Sequence, residues 1–278
     1  MDIVSEIKRN VAAALVEDVG AGDWTAQLTP ANTVARATVV CRTAAIVAGR
    51  PWFDQVFREL DAGIAIDWQV SEGQAVTPNT TLCSLHGAVR ALLTGERAAL
   101  NFLQTLSAVA TATRSYVDAV SGTHAAILDT RKTLPGLRIA EKYAVKTGGG
   151  MNHRIGLYDG ILIKENHIAA TGGVTAAFAA ARKLAPAGVW IQIEVETLDQ
   201  LREALAAGAE MILLDNMSTA QMHEAVNITA GRAKLEASGG ITLDNVRAIA
   251  ETGVDRISIG ALTKDIKAVD LSMRFGSS

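Results

Sequence analysis

Seven lysines and arginines fall between Arg131 and His167: Arg131, Lys132, Arg138, Lys142, Lys146, Arg154 and Lys164. Glu141, Asp159 and Glu165 oppose them, and His153 lies in the same stretch. The segment carries a net charge of +4 inside a chain whose formal net charge is -3. Such a concentration suits a strongly anionic ligand, because arginine grips carboxylate or phosphate bidentately and lysine adds a mobile point charge. A solvated basic face has the same composition. Position favours the ligand: Arg131 and Lys132 directly follow a strand-like run at 127–129, and Lys164 ends the next run. No aromatic residues are interleaved as stacking platforms, which argues against nucleic acid.

Carboxylates accompany the cations. In the run Ile191-Gln192-Ile193-Glu194-Val195-Glu196 the polar residues share one face and the β-branched residues the other. Helices cover the outside of a (β/α) barrel, so the polar face is expected inside. Glu194 and Asp215 then stand on adjacent strands near one rim. There they can hold Mg²⁺, directly or through water, or accept hydrogen bonds from sugar hydroxyls. They can also stabilise positive charge on a sugar carbon during glycosyl transfer. Salt bridges to Arg131, Lys132 or Lys164 are the plainer reading, and the two coexist.

Two glycine turns suit a phosphate. Ser238-Gly239-Gly240 follows one strand and Ile259-Gly260-Ala261 the next. Loops after the last two strands are the usual phosphate site of barrels of this class, although tight-turn geometry alone also selects glycine. Lys164 at a strand end has the alternative role of a Schiff-base lysine in a lyase. His153 and His167 are candidates for acid–base work, but isolated histidines are more often structural. The histidines and cysteines lack zinc-ligand spacing.

These residues need a scaffold. Strand-like runs begin near Ile127, Ile161, Trp190, Met211, Lys234 and Asp255, the last four 21 to 23 residues apart. Helix-like stretches at 198–207, 219–226 and 243–251 separate them. Thr197, Ser218 and Thr242 are expected N-caps, with Gly208 and Gly253 past two of the ends. Alternation at this period implies parallel strands and an α/β fold. Polar or glycine residues at the strand ends point to an incomplete (β/α) barrel of six strands with its site at the C-terminal rim. The first half reads as a smaller α+β domain, with strand-like runs at 38–41, 45–48 and 64–70 and a helix at 51–60. A long helix is expected from Glu96 towards Val120. Gly148-Gly149-Gly150 is expected to end a helix at 137–146.

Composition bounds the rest. The chain has 278 residues, 49% of them hydrophobic, enough for a barrel and a second domain. Cys41 and Cys83 are the two cysteines, too few for a disulfide framework, so a reducing, cytoplasmic location is expected. Neither a signal peptide nor a membrane span is evident.

Several motifs in order resemble the quinolinate phosphoribosyltransferase family. They are Asp129-Thr130-Arg131-Lys132-Thr133, Gly148-Gly149-Gly150-Met151-Asn152-His153-Arg154, Lys164-Glu165-Asn166-His167, Leu214-Asp215-Asn216 and Glu236-Ala237-Ser238-Gly239-Gly240. Glu96-Arg97-Ala98-Ala99-Leu100-Asn101 and Asp270-Leu271-Ser272-Met273-Arg274-Phe275 extend the resemblance towards both ends. It implies an amino-terminal α/β sandwich domain at 1–108, an incomplete (β/α) barrel at 109–269, and a tail at 270–278 packed on the first domain. It implies joining of quinolinate to phosphoribosyl pyrophosphate with loss of CO₂, Mg²⁺ as cofactor, and no nucleic-acid partner. A homodimer with shared sites, or a higher oligomer, is also implied, Arg97 reaching the neighbour's site. Arg131, Arg154 and Lys164 would hold the two quinolinate carboxylates beside Thr130, with Lys132 and His153 adding positive potential. Glu194 and Asp215 would face the ribose and Mg²⁺, with Lys132 and Lys164 completing the catalytic set. Ser238, Gly239, Gly240, Ile259, Gly260 and Ala261 would hold the 5′-phosphate. A nicotinate-type enzyme of the same architecture is the nearest alternative.

Overall fold

The computed structural model describes residues 2–276. In chain order its principal elements are α1 (Ile3–Val19), β1 (Val34–Cys41), β2 (Ala45–Ile46), α2 (Arg50–Leu60), β3 (Ala65–Trp68), β4 (Ala75–Val76), β5 (Thr80–Ala88) and α3 (Val89–Ala119). β6 (Ala126–Leu128), α4 (Arg138–Thr147), β7 (Gly160–Ile163), α5 (Glu165–Thr171), α6 (Val174–Leu184), β8 (Trp190–Val195) and α7 (Leu198–Ala206) follow. The chain ends with β9 (Met211–Asp215), α8 (Thr219–Thr229), β10 (Lys234–Ser238), α9 (Val246–Ala250), β11 (Arg256–Ser258), α10 (Ala261–Lys264) and β12 (Leu271–Phe275).

These elements form two compact units. One comprises Met1–Arg114, Thr133–Gly149 and Thr263–Ser278, the other Ser115–Lys132 and Gly150–Leu262. By contacts the chain divides within α3, after Arg114. α3 runs through that point, and the 133–149 segment groups with the first unit because Ala140, Ala144 and Val145 of α4 join its apolar core.

The first unit is built on a four-stranded antiparallel sheet in the order β12-β1-β5-β3, with β2 and β4 paired beside it. β12 pairs with β1, Phe275 opposite Ala37. The remainder of the expected tail, Ser277 and Ser278, lies outside the described residues. Trp52, Phe53 and Phe57 of α2 are buried with Leu82 and Leu85 of β5 and Leu92, Leu100, Leu103 and Leu106 of α3. Sequence reading passes over α1, whose start is set by the Asp2 side chain accepting from Val4 N and Ser5 N.

The second unit carries six parallel strands in the order β6-β11-β10-β9-β8-β7. Each strand from β7 to β10 is followed by helix, and the longer helices bury one stripe. In α6 the stripe is Val174, Ala177, Phe178 and Ala181, the spacing an amphipathic helix needs to cover a sheet. Thr197 and Ser218 cap α7 and α8, their hydroxyls accepting from Gln200 N and Gln221 N. The expected third cap fails: α9 begins three residues later, after Asn245, whose Oδ1 accepts from Thr242 N.

The barrel is not closed. β6 and β7 are the two edges of the sheet. The returning chain at 151–154 lies along the β6 edge. Met151 N donates to Ile127 O at 2.8 Å, and Asp129 N donates to Met151 O at 3.2 Å. From the same segment Arg154 Nη1 donates to Gly160 O at the start of β7, at 2.9 Å. An irregular segment therefore satisfies backbone groups that further strands would satisfy in a complete barrel.

Candidate active site

Strand register decides which side chains meet inside the second unit. Leu162 pairs with Gln192, Glu194 with Leu213, Leu213 with Glu236, and Asp215 with Ser238. All belong to one face, since side chains alternate along each strand. Ile193 and Val195, of opposite parity, are fully buried. The alternation in β8 thus sorts apolar residues outward and polar residues inward, as expected from sequence.

The inward side chains line a cavity of about 280 Å³. Four cations border it: Arg131, Lys132, Arg154 and Lys164. Thr130 and His153 stand with them, and Glu194, Glu236, Ser238 and Ser258 supply the remaining polar lining. Arg131 and Lys132 lie three and four residues past the end of β6. The other three basic residues of the stretch, Arg138, Lys142 and Lys146, lie on α4, which groups with the first unit. The +4 run is therefore divided between the two units, Thr133–Gly149 belonging to the first.

Asp129 organises the return. It is fully buried, accepting from His153 N at 2.8 Å and from Asn152 Nδ2 at 2.6 Å. These bonds fix the turn that delivers His153 and Arg154. Burial pushes the Arg154 guanidinium pKa below its ordinary value, the neighbouring Arg131 charge adds to this, and Asp159 opposes it. A carboxylate or phosphate placed beside the guanidinium would offset both effects.

Lys164 Nζ donates to Glu194 Oε2 at 3.2 Å. Its backbone N–H donates to His167 Nδ1 at 2.9 Å, so His167 is a structural cap that steadies Lys164. Burial pushes the Glu194 carboxyl up to about 7; hydrogen bonding with Glu165 and the Asp215 charge push the same way, while Lys164 opposes them. The contact with Glu194 suits a lysine that holds charge, the reading preferred over a Schiff-base amine.

Asp215 is not among the lining residues, but its charge acts on Glu194. Among the described residues no group of three His, Cys, Asp or Glu side chains could hold a metal. Two carboxylates, Glu194 and Asp215, remain as a partial donor set.

Gly239, Gly240, Ile259, Gly260 and Ala261 lie just past β10 and β11, outside the cavity lining. Gly239 has φ +100, and a Cβ there would overlap Asn216 Oδ1 in the loop after β9. At Gly260 a Cβ would come 3.0 Å from Lys132 Cδ and 3.6 Å from Thr130 Oγ1. Gly239 is required by its φ and by close approach, whereas at Gly260 the nearest neighbour is a flexible lysine side chain that need give only slightly. Arg97 is exposed on α3 in the first unit.

Sequence reading assigned no role to Glu236. It is 1% exposed at the cavity wall and accepts from Gln192 Nε2 at 3.0 Å. The signal was present: Glu236 and Ser238 alternate in β10 as Gln192 and Glu194 do in β8.

Known proteins resemble this chain along most of its length. Residues 23–107 match the N-terminal domain, and residues 109–274 the C-terminal domain, of quinolinate phosphoribosyl transferase. The chain belongs to the quinolinate phosphoribosyl transferase family. Within that family it is 43% identical over 268 residues to a probable nicotinate-nucleotide pyrophosphorylase [carboxylating] of Bacillus subtilis, covering 96% of this chain and 93% of that protein. It is 43% identical over 273 residues to the nicotinate-nucleotide pyrophosphorylase [carboxylating] of Mycobacterium leprae, covering 95% of each. The solved nicotinate-nucleotide pyrophosphorylase of Francisella tularensis superposes with a TM-score of 0.95 at 45% identity, covering 98% of this chain and 97% of that one. The phosphoribosyl transferase fold thus extends through both units.

Proposed function

We propose that the chain joins quinolinate to phosphoribosyl pyrophosphate, releasing CO₂ and pyrophosphate and forming nicotinate mononucleotide for de novo NAD biosynthesis. The observation that carries this reading is the convergence of Arg131, Lys132, Arg154 and Lys164 on one cavity beside Glu194. Quinolinate is a dianion and phosphoribosyl pyrophosphate a polyanion, so a site for both must be cationic. Four cations exceed what the single carboxylate of nicotinate needs, which favours the dicarboxylate.

In this reading Arg131, Arg154 and Lys164 hold the two carboxylates, with Thr130, Lys132 and His153 beside them. Ser238 and the backbone of Gly239, Gly240, Ile259, Gly260 and Ala261 hold the 5′-phosphate, the glycines allowing close approach. The bond from C1 of the ribose to pyrophosphate breaks as the pyridine nitrogen attacks C1. Positive charge builds on the sugar, and the carboxylates of Glu194 and Asp215 stabilise it. The N-substituted ring is a pyridinium, which accepts the electron pair left when the adjacent carboxylate departs as CO₂; a proton then replaces it. The donor set suits Mg²⁺, which is commonly held by one or two carboxylates plus substrate phosphates. Glu194 and Asp215 would hold it, directly or through water, and bound Mg²⁺ would neutralise pyrophosphate charge.

Arg97 is proposed to serve the neighbouring subunit's site in a homodimer, consistent with its exposure on α3. A cytoplasmic location suits Cys41 and Cys83, which are both free thiols. Among the described residues no helix is long and apolar enough to cross a membrane.

The test is incubation with phosphoribosyl pyrophosphate, Mg²⁺ and either quinolinate or nicotinate, following nucleotide and CO₂ together. Equal release of the two products from quinolinate, with little turnover of nicotinate, is expected. Nucleotide formed from nicotinate alone would overturn the assignment.

A further inference from the structure

Buried polar atoms almost always find a hydrogen-bond partner. Glu236 departs from that rule on the cavity wall: its Oε1 is buried without one. The other oxygen begins a chain. Gln192 Nε2 donates to Glu236 Oε2 at 3.0 Å, Gln192 Oε1 meets His153 Nε2 at 3.0 Å, and Arg154 N donates to His153 Nδ1 at 2.8 Å. His153 Nε2 also lies 3.7 Å from the orphan Oε1.

The chain has one consistent direction. A carboxylate only accepts, so Gln192 must turn its NH₂ towards Glu236 and its carbonyl oxygen towards the ring. The ring must then carry its proton on Nε2, leaving Nδ1 as acceptor. The backbone N–H of Arg154 fills that position. Reversing the Gln192 amide would set its carbonyl oxygen against the carboxylate. The assignment follows from this logic of donors and acceptors.

We propose that Glu236 is a positioning residue for the anion site. Through Gln192 it holds His153 in the Nε2-protonated tautomer, and through His153 it fixes the turn from which the Arg154 guanidinium reaches the cavity. Both ring nitrogens of His153 are engaged within the protein, so this histidine acts by placing its neighbour. The kinetic consequence rests on the reading that Arg154 binds a pyridine dicarboxylate; the tautomer does not.

The test uses the full-length enzyme and the isosteric Glu236→Gln variant. Nitrogen-15 NMR of labelled imidazoles, assigned by the signal lost in His153→Ala, reads the tautomer. A single Nε2-protonated form is expected in the parent. A mixture is expected in Glu236→Gln, because glutamine ends the chain as donor or acceptor. The KM for quinolinate should rise about tenfold, the worth of one hydrogen bond, with the KM for phosphoribosyl pyrophosphate changed less than about twofold. In a His153→Ala background Glu236→Gln should add nothing to the quinolinate KM. Gln192→Asn keeps the amide but withdraws its reach, and carries the same readouts should Glu236→Gln fail to fold. An unchanged tautomer in the variants, or additive effects in the double mutant, would overturn the proposal. An altered tautomer in an enzyme without phosphoribosyl transfer would instead refute the functional reading and leave the relay standing.

Discussion

Lys164 Nζ stands 3.2 Å from Glu194 Oε2, and the two side chains differ sharply in exposure, 48% against 7%. Adjacent parallel strands β7 and β8 set the pair. One ion faces solvent and the other the interior, an arrangement that contributes little to stability but leaves a lysine able to turn towards an incoming anion. The carboxylate it leaves behind is then available to a developing cation. Glu194→Gln should lower kcat by about 100-fold, the scale of removing one electrostatic contact to a transition state. The KM for quinolinate should change less than about threefold. Steady-state kinetics with each substrate varied measures both; an unaltered kcat would exclude Glu194 from the chemistry.

The raised Glu194 carboxyl fixes a pH dependence. Only its ionised form stabilises positive charge, so kcat/KM of the parent should climb with pH through about 7. Lys164 opposes the shift, so Lys164→Met should move whatever limb survives to higher pH. Stability runs the other way. Between the ordinary carboxylate range and about 7 the folded chain keeps a proton that the unfolded chain has lost. This contribution is complete below the ordinary range and disappears as pH rises through about 7. The melting temperature of the parent, relative to Glu194→Gln, should therefore fall across that window. Thermal denaturation of both proteins at pH 4.5 to 8 decides it.

The site was legible where a local rule acts on it. Gln192 and Glu194 were readable as inward residues because strand alternation has a period of two, and Lys164 because it ends a strand. The six barrel strands were readable from their apolar runs, and α7 and α8 from their capping hydroxyls. What stayed hidden depends on packing between distant segments. Counting charge along 131–167 could not show that α4 groups with the first unit, because Ala140, Ala144 and Val145 look the same whichever core receives them. The 151–154 segment has no periodicity, and its place beside β6 is set by backbone bonds and by Asp129. Glu236 had the alternation, but its link to His153 passes through an uncharged glutamine on another strand.

Gly239→Ala tests the glycine turn after β10. The residue sits at φ +100, and its Cβ would overlap Asn216 Oδ1. Asn216 is itself held in place, its N–H donating to Ser238 O at 3.0 Å. The loop must therefore move or carry strain, at a cost of about 1–3 kcal/mol. A melting temperature several degrees lower is expected, with the KM for phosphoribosyl pyrophosphate raised more than that for quinolinate. Gly240→Ala has open space around its Cβ and a φ of +59, so it should be the milder of the two. Equal effects on both substrates would remove the phosphate role from this turn.

Arg97 gives the test of a shared site. It is exposed on α3. If two subunits exchange this arginine, Arg97→Ala and Lys164→Ala should each be nearly inactive as homodimers. Their hybrid has one site that lacks both groups and one that keeps both, since an isologous dimer repeats each contact about its twofold axis. Random reassortment of equal amounts makes about half of the dimers hybrid, each with one intact site, so about a quarter of parental activity should return. Mixing after mild dissociation, with the hybrid fraction read by native mass spectrometry, provides the measurement. Activity proportional to the hybrid fraction supports an arginine donated across subunits. Hybrids that form but stay inactive would confine Arg97 to its own chain and leave the cavity's four cations to bind the substrates alone.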